Sequence, residues 1–297
     1  VELTAVETIR PVDRSYPERL GAVCDPPSLL YVLGNLRKHD LVVAIVGSRA
    51  APRAAADCAH QLAQDLGGGG AAIVSGGALG VDTAAHRGAL AADAATVVVL
   101  GNGLDIAYPP RNARLFDEIP RRGGALITTY KERQPPLPHH FVRRNRVIAA
   151  MADVVVVVHA GARSGALYTA RAARRYGRVV VAVPGSAGTE WLLCTGAAVA
   201  ETAGDVLAAV RGEPRRPEVD LPAPDSELGR VLLALDGCVG RNPSELSTHT
   251  GLNPRRINQH LLGLELSGLV VSLPGHMGYV RSPLAHELLA EARNQTR

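Results

Sequence analysis

Two hydropathy patterns alternate along most of this chain. Short, continuous, Val-rich apolar runs are separated by Ala-rich stretches whose apolar positions recur every three or four residues. The runs are "LVVAIVG" (41–47), "AAIVSGG" (71–77), "TVVVLGNG" (96–103), "GALITTY" (124–130), "DVVVVVHA" (153–160) and "RVVVAVPG" (178–185). A strand that is apolar throughout has to be buried on both faces. Residues 41–211 are therefore predicted to form an α/β domain, a parallel sheet covered by helices on both sides. Several runs end in Gly or Ser, and ligands of such sheets bind beyond the strand carboxyl ends. That places Gly47-Ser48-Arg49, Ser75-Gly76-Gly77, Gly101-Asn102-Gly103 and Pro184-Gly185-Ser186 along one rim.

The flanking regions break the pattern. Residues 1–40 contain "YPERLGAVCDPPSLLYVLGN", two short apolar segments interrupted by proline, too little to bury a core alone and predicted to pack on the sheet domain. Residues 212–225, "GEPRRPEVDLPAPD", read as an extended linker. In residues 226–282, "SELGRVLLALDG", "NPSELSTHTG" and "NPRRINQHLLGLELSG" read as helices with Ser or Asn-Pro starts and Gly stops. "LVVSLPGHMGYVR" then reads as a hairpin, and three helices with a two-stranded wing make a small winged-helix domain. Its third helix is expected to turn Leu261, Leu262 and Leu264 inward and to carry Arg255, Arg256, Asn258 and Gln259 near its start. Such a start fits a major groove, and the same module serves equally as a protein docking surface. Residues 283–297 read as a charged, helix-capable tail.

Composition narrows the setting. Of 297 residues, 46% are hydrophobic and 20% charged, with no apolar run near the roughly 18–20 residues of a membrane helix and no basic-then-apolar leader. The expectation is a soluble, cytoplasmic protein without membrane insertion. Cys24, Cys58, Cys194 and Cys238 are widely spaced, so neither a zinc site nor a disulfide framework is predicted; they read as small buried thiols in a reducing compartment. A net charge of +4 permits a polyanionic partner without demanding one.

The candidate chemistry lies in two kinds of segment. Gly-Ser-Arg at 47–49 and Ser-Gly-Gly at 75–77 are turns of the sort that aim backbone N–H groups at an anion, and Arg49 adds a permanent fork for phosphate oxygens. Neither turn carries a P-loop, and Gly101-Asn102-Gly103 lacks the third glycine of a dinucleotide fingerprint, so no nucleotide cofactor is expected. The second segment is "PHHFVRRNRVIAAMADVVVVV" (138–158). Phe141 is one of only two phenylalanines and stands beside Arg143, Arg144, Asn145 and Arg146. An aromatic face stacks unpaired bases while arginines neutralise the strand's phosphates; Phe116, on an amphipathic pattern, reads as core. Asp82 and His86 share a helical face, but Asp82 reads as a helix cap and no metal site is assigned. His139 and His140 lack ligand spacing. Ser48, Ser75 and Ser164 have no nucleophile-elbow pattern, so no catalytic residue is assigned.

"YPERL", "DPPSLLYVLGN", "VGSRAAPR", "SGGALGVDTAAHRGAL", "VLGNGLDIAYPPRN", "FVRRNRVIAAMADVVVV", "SGALYTARAARRYGR" and "AVPGS" resemble, in this order, the signature blocks of the DprA/Smf DNA-processing proteins. The resemblance spans about residues 16–210. It implies an extended Rossmann-like domain that binds single-stranded DNA, forms a homodimer and loads a RecA-type recombinase onto incoming strands in natural transformation, with no known catalysis. Carried over by motif, the strand-binding candidates are Ser48, Arg49, Ser75 to Gly77, Phe141, Arg144 and Arg146, with Asn145 ordering its loop; Gly47, Arg143, Ser164 and Gly165 complete the set. The sequence departs from the family in having Thr129 and His159 where relatives generally have Glu, a joint loss implying that the two positions meet in space. Pro138 stands where some relatives have a basic residue, and Val142 replaces the usual Pro. A rival resemblance joins "PGSAGTEW" (184–191) to a loop of the LOG-type nucleotide phosphoribohydrolases, but Ser186 replaces a glycine and Glu190 falls one place early.

Overall fold

The computed structural model describes residues 6–215, 221–237, 239–273 and 278–295. In chain order the elements are β1 (Glu7–Ile9), α1 (Glu18–Gly21), β2 (Leu30–Gly34), β3 (Val42–Gly47), α2 (Arg53–Gly68), β4 (Ala72–Ser75), α3 (Val81–Ala91), β5 (Thr96–Leu100), α4 (Ala113–Arg121), β6 (Ala125–Thr128), α5 (Pro138–Met151) and β7 (Val154–His159). There follow α6 (Ala166–Arg175), β8 (Val179–Ala182), α7 (Ala187–Cys194), β9 (Ala198–Val199), α8 (Ala203–Val210), α9 (Glu227–Ala234), α10 (Pro243–Thr250), α11 (Pro254–Leu266), β10 (Val270–Ser272), β11 (Tyr279–Arg281) and α12 (Pro283–Gln295). Chain contacts divide these into two compact units, Val1–Thr189 with Ala198–Arg215, and Glu190–Ala197 with Arg216–Arg297.

The first unit is built on a nine-stranded sheet of order β1-β2-β6-β5-β4-β3-β7-β8-β9. All six Val-rich runs became strands, and from β6 to β9 every neighbouring pair is parallel. They are apolar throughout because both faces are covered. Val43 and Ile45 of β3 join Val154 and Val156 of β7 in a core with Leu62 and Leu66 of α2 and Val81 and Ala85 of α3. The alternate β3 residues, Ala44 and Val46, are equally buried and by the pleat point the other way, where α5 and α6 lie over the strands. A smaller cluster under α4 holds Phe116, which is core as predicted.

The described part of residues 1–40, from residue 6 on, packs on this domain by extending the sheet. β2 pairs antiparallel with β6, and β1 with β2. Arg19 fixes the connection, donating from Nε to Asp153 Oδ1 at 2.6 Å and from Nη1 to the His39 carbonyl at 2.9 Å.

The strand order reverses between β3 and β7. From β3 the next connection runs to β4 on one side, from β7 to β8 on the other. The two chains thus leave the sheet in opposite directions and open a crevice at the carboxyl ends of β3 and β7.

The second unit is the winged helix. Val231, Leu232, Leu246, Ile257, Leu261 and Leu264 form its core with Leu269 and Val270 of the wing. Each helix has the start its sequence promised: Ser226 accepts from Gly229 N–H at 2.9 Å, Asn242 forms a reciprocal capping box with Glu245, and Asn253 accepts from Arg256 N–H at 3.0 Å. Leu262 corrects the expectation. It is 58% exposed, because the buried stripe of α11 runs through 257, 261 and 264 and leaves 262 a third of a turn away. The expected tail forms α12, anchored by Leu284 and Ala285. The hairpin tip at 274–277, the linker residues 216–220 and Cys238 lie outside the described residues. Among the described residues no helix is long and apolar enough to cross a membrane. Cys24, expected to be buried, is exposed; Cys58 and Cys194 are half-buried, and all three are free.

Candidate nucleic-acid interface

A groove of about 770 Å³ opens at the β3/β7 reversal. Its back wall is the turn after β3, Gly47-Ser48-Arg49. Gly47 has no room for a side chain: a Cβ would lie 2.6 Å from Cγ2 of Val81 and 2.9 Å from the His159 carbonyl, so glycine lets the start of α3 close onto the strand. Both backbone groups of Ser48 are spent on this closure. Its N–H donates to His159 O at 2.8 Å, and its carbonyl accepts from Val81 N–H at 3.3 Å. Ser48 therefore has no backbone N–H to offer an anion, contrary to the expectation from the turn; what faces the groove is the exposed side chain of Arg49.

The second glycine turn is not part of the surface. Ser75, Gly76 and Gly77 are buried, and the Ser75 hydroxyl donates to Ile45 O at 2.6 Å. Their expected role as a phosphate seat fails for a physical reason: the turn presents carbonyls that are already held from inside, that of Gly76 by Arg144 and that of Gly77 by Asn112 Nδ2 at 2.9 Å. Arg144 donates from Nη1 to the Gly76 carbonyl and, at 2.8 Å, to the Val99 carbonyl. A side chain at Gly76 would occupy the space of that guanidinium, and Gly77 adopts φ 69° against Phe116. Only glycine satisfies both positions.

Arg144 belongs to α5, and the helix explains how the basic segment is divided. Positions 141, 144, 145 and 148 follow the i, i+3, i+4, i+7 spacing of one helical face, and all four line the groove. Arg143, Arg146, Val147 and Ala150 follow the same spacing on the opposite face and line a second groove of about 440 Å³ with Asp25, Thr129, Tyr130 and Tyr176. The cluster read as one site is thus two. In the second groove Arg146 Nη1 lies 3.5 Å from Asp25 Oδ2, and the Tyr176 hydroxyl donates to Asp25 Oδ1 at 2.7 Å. That hydroxyl, more than the neighbouring Arg175 and Arg146, holds the Asp25 carboxyl below its ordinary range.

Phe141 is half-buried at the centre of the first groove. Arg49 Cζ lies 5.1 Å and Arg144 Cζ 5.6 Å from its ring centre, and the Tyr108 ring is tilted against it at 5.7 Å. The ring is packed among cations rather than standing free. Asn145 ties the helix to the opposite wall, donating from Nδ2 to Gly165 O at 3.1 Å, while the Ser164 hydroxyl accepts from Ala166 N–H at 3.3 Å at the start of α6. Expected to order its own loop, Asn145 instead lies on α5 and bonds across to the Gly165 wall.

Among the lining residues that sequence reasoning missed, Arg163, Tyr108 and Tyr168 offer a cation and two aromatic faces. Tyr168 is 52% exposed and Tyr108 38%; the missed signal was an aromatic inside a quoted signature block whose environment is polar.

Asp82 is the only carboxylate among the described lining residues, and it is buried. Burial raises its pKa, opposed chiefly by the charge of Arg144. It is not the N-cap of α3, which is Gly80; it accepts instead from the Ala78 N–H at 3.2 Å. Burial lowers Arg144 to about 10, so it stays charged at neutral pH. Arg49 and Arg163 at the wall with Arg144 in the floor therefore make the groove positive. Glu190 does not line it, and Ser186, hydrogen-bonded to Ala160 N–H and Thr189, closes its own turn. Among the described residues no cluster of three or more His, Cys, Asp or Glu could hold a metal. Thr129 and His159 do not meet: three strands separate β6 from β7, about 19 Å at ~4.8 Å per step.

A family model described as DNA recombination-mediator protein A matches residues 7–211, and one described as the DprA winged helix domain matches residues 213–276. The chain belongs to the DprA family. Protein Smf of Escherichia coli (strain K12) is 36% identical over 281 residues, 90% of this chain and 75% of that protein. DNA processing protein DprA of Streptococcus pneumoniae (strain R6) is 40% identical over 207 residues, 66% of this chain and 72% of that protein. Two solved DprA structures have the same fold. That from Streptococcus pneumoniae covers 70% of this chain and 75% of its own, with a TM-score of 0.64 and 38% identity. That of DNA processing protein A from Helicobacter pylori, described for its unique single-stranded DNA binding mode, covers 71% and 97%, with a TM-score of 0.63 and 30% identity. DprA membership covers both units and fixes the protein as a DNA processing protein.

Proposed function

We propose that the chain holds single-stranded DNA in the groove at the β3/β7 reversal, without sequence preference and without altering the strand. One observation carries the reading: Arg49, Phe141 and Arg144 converge in a groove whose one carboxylate among the described lining residues is buried. Arginine charge attracts phosphates, and aromatic surface from Phe141, Tyr108 and Tyr168 offers π-faces to unpaired bases. The binding mode named for the Helicobacter pylori relative supports the same class of ligand. The loading of a RecA-type recombinase and the homodimer remain part of this proposal, supported by DprA membership alone.

A salt-titrated binding curve tests it. Single-stranded oligonucleotides are expected to bind far better than duplex and to weaken steeply with salt; the Arg49→Ala/Phe141→Ala variant is expected to lose most of that affinity. Equal affinity for single strand and duplex, or an unaffected double variant, overturns the proposal.

A further inference from the structure

The start of α11 is a poor electrostatic footprint in this chain. Arg255, Arg256, Asn258 and Gln259 are all exposed, but Arg256 is ion-paired with Glu227, which also meets His260 Nε2 at 3.0 Å. One of the two arginines is therefore neutralised within the fold.

A stronger cationic feature lies elsewhere in the same unit. A concavity of about 520 Å³ between the end of α9, the end of α10 and the base of the wing is lined by Arg230, Arg241 and Arg281, with His249 at its rim and Asp236 the only carboxylate among the described lining residues. Among the described residues no ion pair joins any of the three arginines to an acid. Arg230 makes one long bond, 3.4 Å from Nη1 to the Thr250 carbonyl. Arg241 uses its backbone to bridge to Tyr279, and its side chain makes no bond. The Nε of Arg281 is buried without a partner.

Three guanidiniums facing one concavity, none of them ion-paired and with a single carboxylate, Asp236, among the described lining residues, leave it net positive. An anion seated among them would be attracted by all three charges at once. The guanidinium fork fits the tetrahedral oxygens of phosphate and keeps its charge at any physiological pH. We propose that this concavity is a phosphate-binding site that seats the backbone of duplex DNA, so that the winged helix grips a duplex through the base of its wing rather than through α11 alone. Arginine clusters also recognise acidic and phosphorylated peptides; membership of a DNA-processing family favours a phosphodiester here, and the poly-glutamate arm of the test separates the two. Contacts of this kind position a module on DNA without reading its sequence. The site is independent of the single-strand groove.

The test uses the full chain and a duplex of about 20 base pairs in a salt-titrated anisotropy assay. Arg230→Ala/Arg241→Ala is expected to weaken duplex binding about ten-fold at low salt and to lower the slope of log K against log salt by about 2, one for each phosphate contact removed. Arg230→Lys/Arg241→Lys is expected to keep most of that slope. Arg241→Glu alone, at a side chain the fold does not use, is expected to weaken duplex binding with an unchanged unfolding curve. Inorganic tripolyphosphate is expected to compete. Absence of duplex binding, an unchanged slope in the double Ala variant, or preferential binding of poly-glutamate over duplex overturns the assignment. Affinity for a short single strand is expected to be the same in all these variants, which separates failure here from failure of the groove.

Discussion

The guanidinium of Arg49 lies over the ring of Phe141, its carbon 5.1 Å from the ring centre, although one residue follows β3 and the other opens α5. Each therefore holds the other in place at the groove. The pair is worth about 0.5–2 kcal/mol by cation–π attraction, and both members are proposed to touch the strand. In a double-mutant cycle read by single-strand binding, Arg49→Ala and Phe141→Ala are each expected to lose affinity, and the double variant to lose less than the sum by about that amount. Strict additivity would mean that the two act separately.

Arg144 predicts the opposite kind of defect. It is 4% exposed and its Nη1 serves the carbonyls of Gly76 and Val99. Arg144→Ala strands two buried acceptors at about 1–3 kcal/mol each and removes the charge that opposes the desolvation of Asp82. Urea unfolding is expected to show a loss of about 2–6 kcal/mol on that basis, whereas Arg49→Ala, at an exposed side chain, is expected to lose no more than the roughly 0.5–2 kcal/mol of its contact with Phe141. Equal stability of the two variants would show that Arg144 is not structural.

Why the fold was legible and the site only half so follows from particular residues. The six Val-rich runs announced themselves because parallel strands are buried on both faces, and Val154–Val158 are all buried. Missing were β1 and β2, whose antiparallel pairing at the sheet edge leaves a mixed pattern, and β9, only two residues long. The site failed at direction. Arg143, Arg144 and Arg146 were read as one patch on a loop, whereas a helix over 138–151 sends Arg144 one way and the other two the opposite way. The Ser75-Gly77 turn failed because composition does not distinguish a turn that offers N–H groups from one that offers carbonyls.

The division of α5 makes oligonucleotide length the informative variable. Arg146 sits in the second groove and is held by Asp25, so a strand confined to the first groove does not meet it. Arg146→Ala is expected to leave binding of about 4 nucleotides unchanged and to lower the salt slope for about 16 nucleotides, the two ends of the usual site-size range. Asp25→Asn, which frees Arg146, is expected to strengthen binding of the longer strand only. An effect of either variant on the shorter strand would place Arg146 in the first groove after all.

His86 gives a pH dependence whose sign is set by burial. It is fully buried, and its Nδ1 lies 2.7 Å from the Thr96 hydroxyl, which itself donates to Ile73 O at 3.0 Å. The Thr96 proton is thus committed, so Nδ1 carries the hydrogen and the second proton would have to enter at Nε2, a buried atom without a partner. Burial, and next the charge of Arg144, lowers the imidazole pKa from 6.5 to about 3. The unfolded chain therefore binds a proton that the folded chain refuses. This contribution to stability is complete above pH 6.5 and is lost as pH falls toward 3, at about 1.4 kcal/mol per pH unit. Between pH 7 and 5 the parent is expected to lose about 2 kcal/mol through His86. The raised carboxyl of Asp82 acts in the opposite sense, so the decisive measurement is the difference between the parent and His86→Asn, which keeps a donor for Thr96 but cannot titrate. Urea midpoints of the two proteins are expected to diverge in their pH dependence below 6.5; parallel curves would mean that His86 is protonated in the folded state.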